Sequence, residues 1–335
     1  MSEGVCATGP CHHYYLDRRG GTCFLRGHPS PKAGTTLNAP PPPLIRKPRS
    51  ALLIVNEKSR QGQAAANEAE SLLVAGGLKV MRKHSDSPQD LNAVVRRHAP
   101  EVDCIVLGGG DGTFNSASRA LIETDRPLGV LPLGTGNDLA RTLNIPMDLA
   151  GAVNVILAGR IHDIDIGDVN GQPFFNVASL GLTVQLTRNL TGDVKRRWGR
   201  LGYAIALFRA LVRTRPFSAE IRAGGEVHHV KTLQISVGNG RHYGAGMTVE
   251  QDARIDDGVL NLYSLEFDHP WRMLLIYPAF RKGKHGVWKQ VRTLNCQEVE
   301  IRTRRPRSIN TDGEITTQTP ATFKVLRRAV HVFVP

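Results

Sequence analysis

The chain has no apolar run long enough to cross a bilayer as a helix. Its longest uninterrupted aliphatic or aromatic stretches, such as 203–208, fall far short of the roughly 20 residues a spanning helix needs. Its cysteines are too few and too scattered for a disulfide framework, because Cys6, Cys11, Cys23, Cys104 and Cys296 form an odd set without paired spacing. A reducing, cytosolic compartment is the expectation that follows. The first residues also lack the charged, apolar, small-residue layout of an export signal, so export is not expected. Acids are in deficit as well. Asp plus Glu number 30 against 43 Lys plus Arg, and the net charge of +13 points to an anionic partner such as nucleic acid, acidic headgroups or nucleotide phosphates. Three familiar signatures are missing. Without a GxxxxGK[ST] loop the chain is not a P-loop enzyme; without GxGxxG at the first strand it is poorly matched to a dinucleotide fold; without HRD and DFG it is not a protein kinase.

What is present is a globular composition at a length comfortable for two domains. The chain has 335 residues, 41% apolar and 22% charged, which excludes wholesale disorder, collagen and coiled coil. Residues 1–49, with CHH, GG and PPPP punctuation and no apolar period, read as a flexible extension. The spacing of Cys6, Cys11, His12, His13, Cys23 and His28 within it fits no compact zinc motif. From residue 51 the pattern alternates, with strands expected at 51–55, 78–82, 104–107 and 128–131 and helices at 64–75, 91–98 and 114–122. That rhythm predicts a doubly wound parallel α/β sheet, whose ligands sit beyond the carboxyl ends of its strands. After about residue 163, short strand-like runs take over at 162–169, 174–179, 218–222, 232–237, 260–265 and 298–303. Helical stretches at 199–213 and 271–280 interrupt them, and the whole predicts a second, mostly antiparallel β domain.

The glycine clusters fall at the predicted strand ends. Gly108-Gly109-Gly110-Asp111-Gly112-Thr113 joins a strand to a helix, an arrangement that offers backbone N–H groups and a helix start to phosphate oxygens. Asp111 repels phosphate unless a cation or a transferable proton lies between them, which favours a magnesium-bound nucleotide over bare phosphate. A plain turn with Asp111 capping the next helix is the alternative. The second run, Pro132-Leu133-Gly134-Thr135-Gly136-Asn137-Asp138-Leu139-Ala140-Arg141, follows the fourth strand, so both loops are expected to face one crevice. Thr135 offers a hydroxyl to phosphate, and Asn137 or Asp138 can cap the helix or hold a substrate hydroxyl.

The pair GGDGT (109–113) and PLGTGNDLAR (132–141) resembles the catalytic domain of the diacylglycerol kinase family, most closely the bacterial diacylglycerol kinase-like lipid kinases, over roughly residues 50–335. GGDGT alone also occurs in NAD kinases; the combination is far more specific. The resemblance implies an α/β nucleotide domain at 50–162, a β-sandwich-like lipid-substrate domain at 163–320 and C-terminal strands at 321–335 that return to the first domain. It implies an ATP- and Mg²⁺-dependent transfer of the γ-phosphate to the hydroxyl of diacylglycerol or a related glycerolipid. ATP would meet Asn56, Ser59, Ser85, Gly109, Gly110, Asp111, Gly112, Thr113, Asn115 and Thr135. The family's first phosphate turn, NPxSG, is altered here, with Glu57 for its proline and Arg60 for its glycine, and Ser116 stands where the family usually has glutamate.

In the second domain, Asn239-Gly240-Arg241 with Tyr243-Gly244 and Gly246-Met247 resembles the family's NGxxYGGGM segment, with Ala245 at its middle glycine. The turn Arg254-Ile255-Asp256-Asp257-Gly258-Val259-Leu260 resembles the family's DGxL turn, although Gln251 replaces an upstream proline. By that match a structural Mg²⁺ would take the Asp257 carboxylate and the carbonyls of Arg254 and Val259, oxygen ligands suited to a hard cation. Thr311-Asp312-Gly313-Glu314 resembles the family's DGE motif, so Glu314 is the first candidate for the base that takes the lipid hydroxyl proton, with Asp312 assisting. Asp111 is the rival, because related sphingosine kinases assign the base to that position. An NAD kinase-like enzyme and a non-catalytic nucleotide or lipid sensor are the alternatives; GTGNDLAR and DGE argue against the former.

Residues 272–307 carry ten Lys or Arg and two acids, interleaved with Tyr277 and Trp288, next to Trp271; Lys195-Arg196-Arg197-Trp198 is a second such patch. Such patches suit transient docking on the anionic inner face of a membrane by a cytoplasmic enzyme, without nucleic acid as partner. The resemblance also implies a homodimer.

Overall fold

The computed structural model describes residues 44–56, 62–189, 214–239, 242–243, 247–248, 254–267 and 291–335. In chain order the N-terminal half runs β1 (Leu44–Ile45), β2 (Ser50–Val55), α1 (Gly62–Ala75), β3 (Lys79–Lys83), α2 (Pro88–His98), β4 (Cys104–Gly109), α3 (Asp111–Thr124), β5 (Leu128–Pro132), α4 (Asp138–Thr142) and α5 (Leu149–Ala158). The C-terminal half runs β6 (Arg160–Val169), β7 (Gln172–Phe174), β8 (Val177–Gly181), α6 (Leu182–Asn189), β9 (Phe217–Ala223), β10 (Glu226–Thr232) and β11 (Gln234–Gly238). It continues through β12 (His242–Tyr243), β13 (Met247–Thr248), β14 (Leu260–Leu265), β15 (Val291–Cys296), β16 (Glu298–Thr303), β17 (Ser308–Thr311), β18 (Glu314–Gln318) and β19 (Ala321–Phe333).

The N-terminal half is a parallel α/β core. Strands β3, β2, β4 and β5 lie side by side in parallel register, with Leu53 opposite Arg82 and Val106, and Leu107 opposite Val130. The continuous apolar runs of β2 and β4 suit strands buried on both faces, and Ala51–Val55 and Cys104–Leu107 are all buried. Helix α2 starts where Ser87 accepts the Asp90 N–H and Pro88 fixes the first turn. Helix α5 ends at Gly159, whose φ of +73° a side chain would strain.

The C-terminal half is an antiparallel sandwich-like assembly. One sheet is ordered β15-β14-β11-β8-β17-β18, and β10-β9-β16-β19 form the other face. A core of Val169, Phe174, Leu180, Ile221, Ile235, Leu262, Ile301 and Phe323 fills the space between them. The second face is not a separate sheet. Strand β19 pairs antiparallel with β16 and β6 and then in parallel with β5 through Val332 and Leu128, so one sheet passes from the C-terminal half into the α/β core.

Two expected strands are broken. The run 174–179 splits at Phe175 and Asn176 into β7 and β8, because the N–H groups of Phe175, Asn176 and Val177 leave the ladder to meet the Asp312 carboxylate. The run 232–237 is interrupted at Leu233, where the Thr232 hydroxyl donates to the Gln234 and Leu265 carbonyls. The expected helices at 199–213 and 271–280 and the basic patches at 195–198 and 271–290 lie outside the described residues.

Candidate active site

The two glycine loops pack against each other. A Cβ added at Gly134 would collide with the Gly110 Cα and stand 2.8 Å from Asn137 Oδ1, so the close approach requires glycine at 134. The Leu133 N–H donates to the Gly109 carbonyl at 3.0 Å. Asn137 folds its own loop. It sits at φ 54° and accepts the Gly134 N–H at 2.9 Å, while its amide donates to the Pro132 and Gly134 carbonyls. Its side chain therefore does not cap α4. Asp111 supplies that contact from the other loop, accepting the Leu139 N–H on Oδ1 at 3.0 Å. The alternative of a plain turn in which Asp111 caps the helix that follows it does not match the structure, since α3 has Gly110 at its N-cap and no side-chain cap. An uncapped helix start beside glycine backbone is the donor set a phosphate group takes, and the residues present fit a nucleotide there.

A cleft of about 390 Å³ opens at these strand ends, lined by Asn56, Ser85, Asp86, Ser87, Gly110, Gly112, Thr113, Ser116 and Glu314, with Val55 and Leu91 as apolar floor. The chain thus brings Glu314 of β18 onto the glycine loop. A Cβ at Gly112 would lie 3.8 Å from Glu314 Oε1. Ser85 lines the cleft with its hydroxyl donating to the Ser87 carbonyl at 3.0 Å. Thr135 is exposed and is not among the residues lining this cleft. Gly109 is buried, and a Cβ there would collide with the Thr113 side chain. Asn115, also buried, lines a neighbouring cleft that again includes Ser116 and Glu314, and its amide donates to the Thr311 carbonyl at 3.4 Å, tying α3 to β17. Ser116 turns its hydroxyl back to the Gly112 carbonyl at 2.7 Å. Ser59, Glu57 and Arg60 lie outside the described residues.

Asp312 and Glu314, two residues apart, point to different cavities. Asp312 lines a second, smaller cavity of about 190 Å³ together with Asp111, Asp138, Asn176, Ser179, Thr183, Thr187 and Asn310. Its carboxylate accepts three backbone N–H groups, from Phe175 (2.7 Å), Asn176 (3.0 Å) and Val177 (2.9 Å). Burial nevertheless pushes its pKa up to about 7, with the negative charge of Asp111 adding to burial against the lowering effect of the N–H groups. Sequence reasoning missed Asn176, Ser179, Thr183, Thr187 and Asn310. They belong to no motif; the polar Asn176 inside an apolar strand-like run was the one signal.

The turn at 254–259 is tied both to itself and to β6. Asp256 pairs with His162 (2.8 Å) and Arg254 (2.9 and 3.0 Å), which hold its carboxyl well below the usual carboxylate range. Asp165 accepts the Gly258 and Arg328 N–H groups. Asp257 accepts the Val259 N–H at 2.9 Å, yet burial raises its pKa, and Asp165 and Asp256 raise it further. Among the described residues no three His, Cys, Asp or Glu side chains gather closely enough to hold a metal by themselves. The N–H groups of Arg254 and Val259 face the Asp257 carboxylate and oppose the rise in its pKa, and a carboxylate left under-compensated by burial is a donor suited to a hard cation. The NGxxYGGGM-like segment is described at Asn239 and in the strands β12 and β13, and the buried Asn239 amide donates to the carbonyls of Asp165 (2.8 Å) and Phe175 (3.1 Å). No described helix is long and apolar enough to cross a membrane.

The family model for the diacylglycerol kinase catalytic domain matches residues 50–169, and that for the YegS C-terminal NAD kinase beta sandwich-like domain matches 176–334. The chain is 31% identical over 238 residues to a diacylglycerol kinase of Bacillus subtilis (strain 168), covering 70% of this chain and 78% of the relative. It is likewise 31% identical over 235 residues to a diacylglycerol kinase of Staphylococcus aureus (strain Newman), covering 70% and 75%. A crystal structure of a diacylglycerol kinase from Bacillus anthracis str. Sterne superposes with a TM-score of 0.73 at 24% identity, covering 87% of this chain and 98% of that one.

Proposed function

The chain belongs to the diacylglycerol kinase family, and from that premise we propose that it is an ATP- and Mg²⁺-dependent lipid kinase transferring the γ-phosphate to the hydroxyl of diacylglycerol or a related glycerolipid. One observation carries this reading: a carboxylate, Glu314, stands over a glycine loop that ends a parallel strand and starts an uncapped helix. Phosphoryl transfer asks a protein for positioning and charge neutralisation more than for covalent chemistry. The N–H groups at the start of α3 and the glycines of the first loop, against which the second loop packs, hold the phosphates, and Asn56 and Ser85 border the rest of the nucleotide. Mg²⁺ would supply positive charge to those phosphates.

The attacking lipid oxygen bonds to the γ-phosphorus, the bond from that phosphorus to the β-bridging oxygen breaks, ADP leaves, and the hydroxyl proton passes to a carboxylate. Glu314 and Asp111 are the two candidate acceptors, one on each cavity. Asp312 acts as a positioning residue, holding the backbone of 175–177 through three N–H groups. We place the enzyme in the cytoplasm, with its basic surface docking transiently on an anionic membrane. A single assay tests the reading: radiolabelled ATP supplied with a lipid extract or with NAD. Label in a lipid product is the expected result. Label in NAD alone, or in neither, would reject it.

A further inference from the structure

The starts of α2 and α3 are two walls of the nucleotide cleft: Ser87, Pro88 and Leu91 line it from one side, Gly112, Thr113 and Ser116 from the other. The second wall has little stiffness of its own, because α3 lacks a side-chain cap and carries glycine at 110 and 112. One side chain, Asn92 of α2, joins the walls. Its Nδ2 donates to the Pro88 carbonyl at 3.0 Å and to the Ser116 carbonyl, and its Oδ1 accepts the Ala120 N–H at 3.1 Å. In a continuous helix the Ser116 carbonyl and the Ala120 N–H belong to one rung of the ladder. The carboxamide engages both members of that rung. Two donors beside an acceptor are a set that only a carboxamide offers among side chains. The Ser116 hydroxyl donates in turn to the Gly112 carbonyl at 2.7 Å, so the contact runs from α2 through Ser116 to the glycine loop.

Two further ties lie farther along the same helix pair or just past its ends. Arg96 pairs with Glu123 through Nε (2.5 Å) and Nη2 (3.1 Å), and Arg126 donates to the Ala99 carbonyl at 3.1 Å. Arg96 and Glu123 are each about half exposed, where an ion pair holds weakly. Neither tie touches a residue that lines the cleft, whereas both carbonyls that Asn92 holds belong to residues that do. Asn92 itself lines the neighbouring cleft and stays out of the nucleotide's place. Resting on the kinase reading above, we propose that Asn92 is a positioning residue for phosphate transfer. It sets the separation of α2 and α3, and with it the place of the N–H groups that hold the phosphates. It acts through Ser116 and Gly112 and needs no contact with either substrate. Without its donors the two walls are free to part, and a small shift of a positioned group is strongly felt.

The test uses the full chain. Calorimetric titration with a non-hydrolysable ATP analogue gives the nucleotide Kd, and phosphorylation of the lipid that the extract assay labels gives kcat and both KM values. Asn92→Ala removes all three bonds. Asn92→Asp keeps the shape and the acceptor for Ala120 but withdraws the donors, so the test does not depend on one variant folding. Both are expected to raise the analogue Kd and the KM for ATP at least about tenfold, with the KM for lipid within about twofold of the wild type. A merely destabilised enzyme would instead lose kcat at unchanged KM values. Arg96→Ala, which removes the outer tie, is expected to keep the Kd and the KM for ATP within about twofold. Wild-type nucleotide affinity in either Asn92 variant overturns this inference alone, as does an Arg96→Ala variant that weakens ATP binding as much. An extract in which the wild type labels no lipid overturns the kinase reading, and this inference with it.

Discussion

Asp111 and Leu139 join the two glycine loops: the carboxylate of the first accepts, at 3.0 Å, a backbone N–H at the start of the helix that follows the second. One carboxylate thus stabilises a helix start and borders the second, smaller cavity. The two duties separate on mutation. Asp111→Asn keeps an oxygen for the Leu139 N–H but cannot take a proton, so with Asp111 as the acceptor phosphate transfer falls by about 10²–10⁴, the range for loss of a positioned acid or base, and with Glu314 as the acceptor it does not, the melting temperature being nearly unchanged in either case. Asp111→Ala loses the cap too, at about 1 kcal/mol of stability. Thermal melts and lipid phosphorylation on both variants check this.

Gly134 is the second point where the loops touch. Gly134→Ala drives a methyl group into the Gly110 α-carbon and against Asn137 Oδ1, and neither is the loose end of a flexible side chain. The loops must separate, and ATP affinity is expected to drop at least about tenfold, because a small misplacement of a positioned group is strongly felt. Calorimetric titration with an ATP analogue measures it, and unchanged binding would contradict the packed-loop account.

Asp312 makes a pH-dependent contribution whose sign is fixed. Its folded pKa, about 7, lies above the ordinary 3.8. The native state therefore holds a proton that the unfolded state has released, and stability from this group is full below about pH 4 and falls as pH rises toward 7. Asp312→Asn lacks that titration. The stability gap between wild type and variant is expected to narrow from pH 5 to pH 8 in chemical denaturation. A constant gap would show that Asp312 titrates alike in both states.

Burial, Asp165 and Asp256 raise the Asp257 pKa against the lowering effect of the Val259 and Arg254 N–H groups, an environment that a bound cation would relieve. Millimolar Mg²⁺ is expected to raise the melting temperature of the wild type and not that of Asp257→Asn, as mass action requires of a ligand that binds the folded state. An Mg²⁺-independent wild-type melt would remove the proposed structural cation from this turn.

Much of this site was legible in the sequence because its parts are local. A strand that ends in GGDGT and another that ends in GTGND dictate two turns at neighbouring sheet edges, and β4 and β5 do pair, with Gly108 opposite Leu131. What is not local was not legible. The second cavity takes residues from β8, α6 and β17 that come together through antiparallel register, Thr311 opposite Ala178 and Asn310 opposite Ser179. The break between β7 and β8 depends on a carboxylate about 135 residues away in sequence. No apolar period encodes a backbone N–H leaving its ladder for a distant side chain. The return of 321–335 to the first domain, which the resemblance implied, has its counterpart in the pairing of β19 with β5 and β6, and residue spacing alone did not carry it, because strand order is decided by pairing and not by composition.

The central claim is that the glycine loops hold a triphosphate while a carboxylate beside them takes the proton of a lipid hydroxyl. The most direct measurement is single-turnover transfer from γ-labelled ATP to lipid, comparing the wild type with Asp111→Asn and Glu314→Gln at saturating ATP. The account predicts rapid labelling of lipid by the wild type, loss of about 10²-fold or more in at least one variant, and ATP still bound by both. Labelling at the wild-type rate in both variants would contradict it.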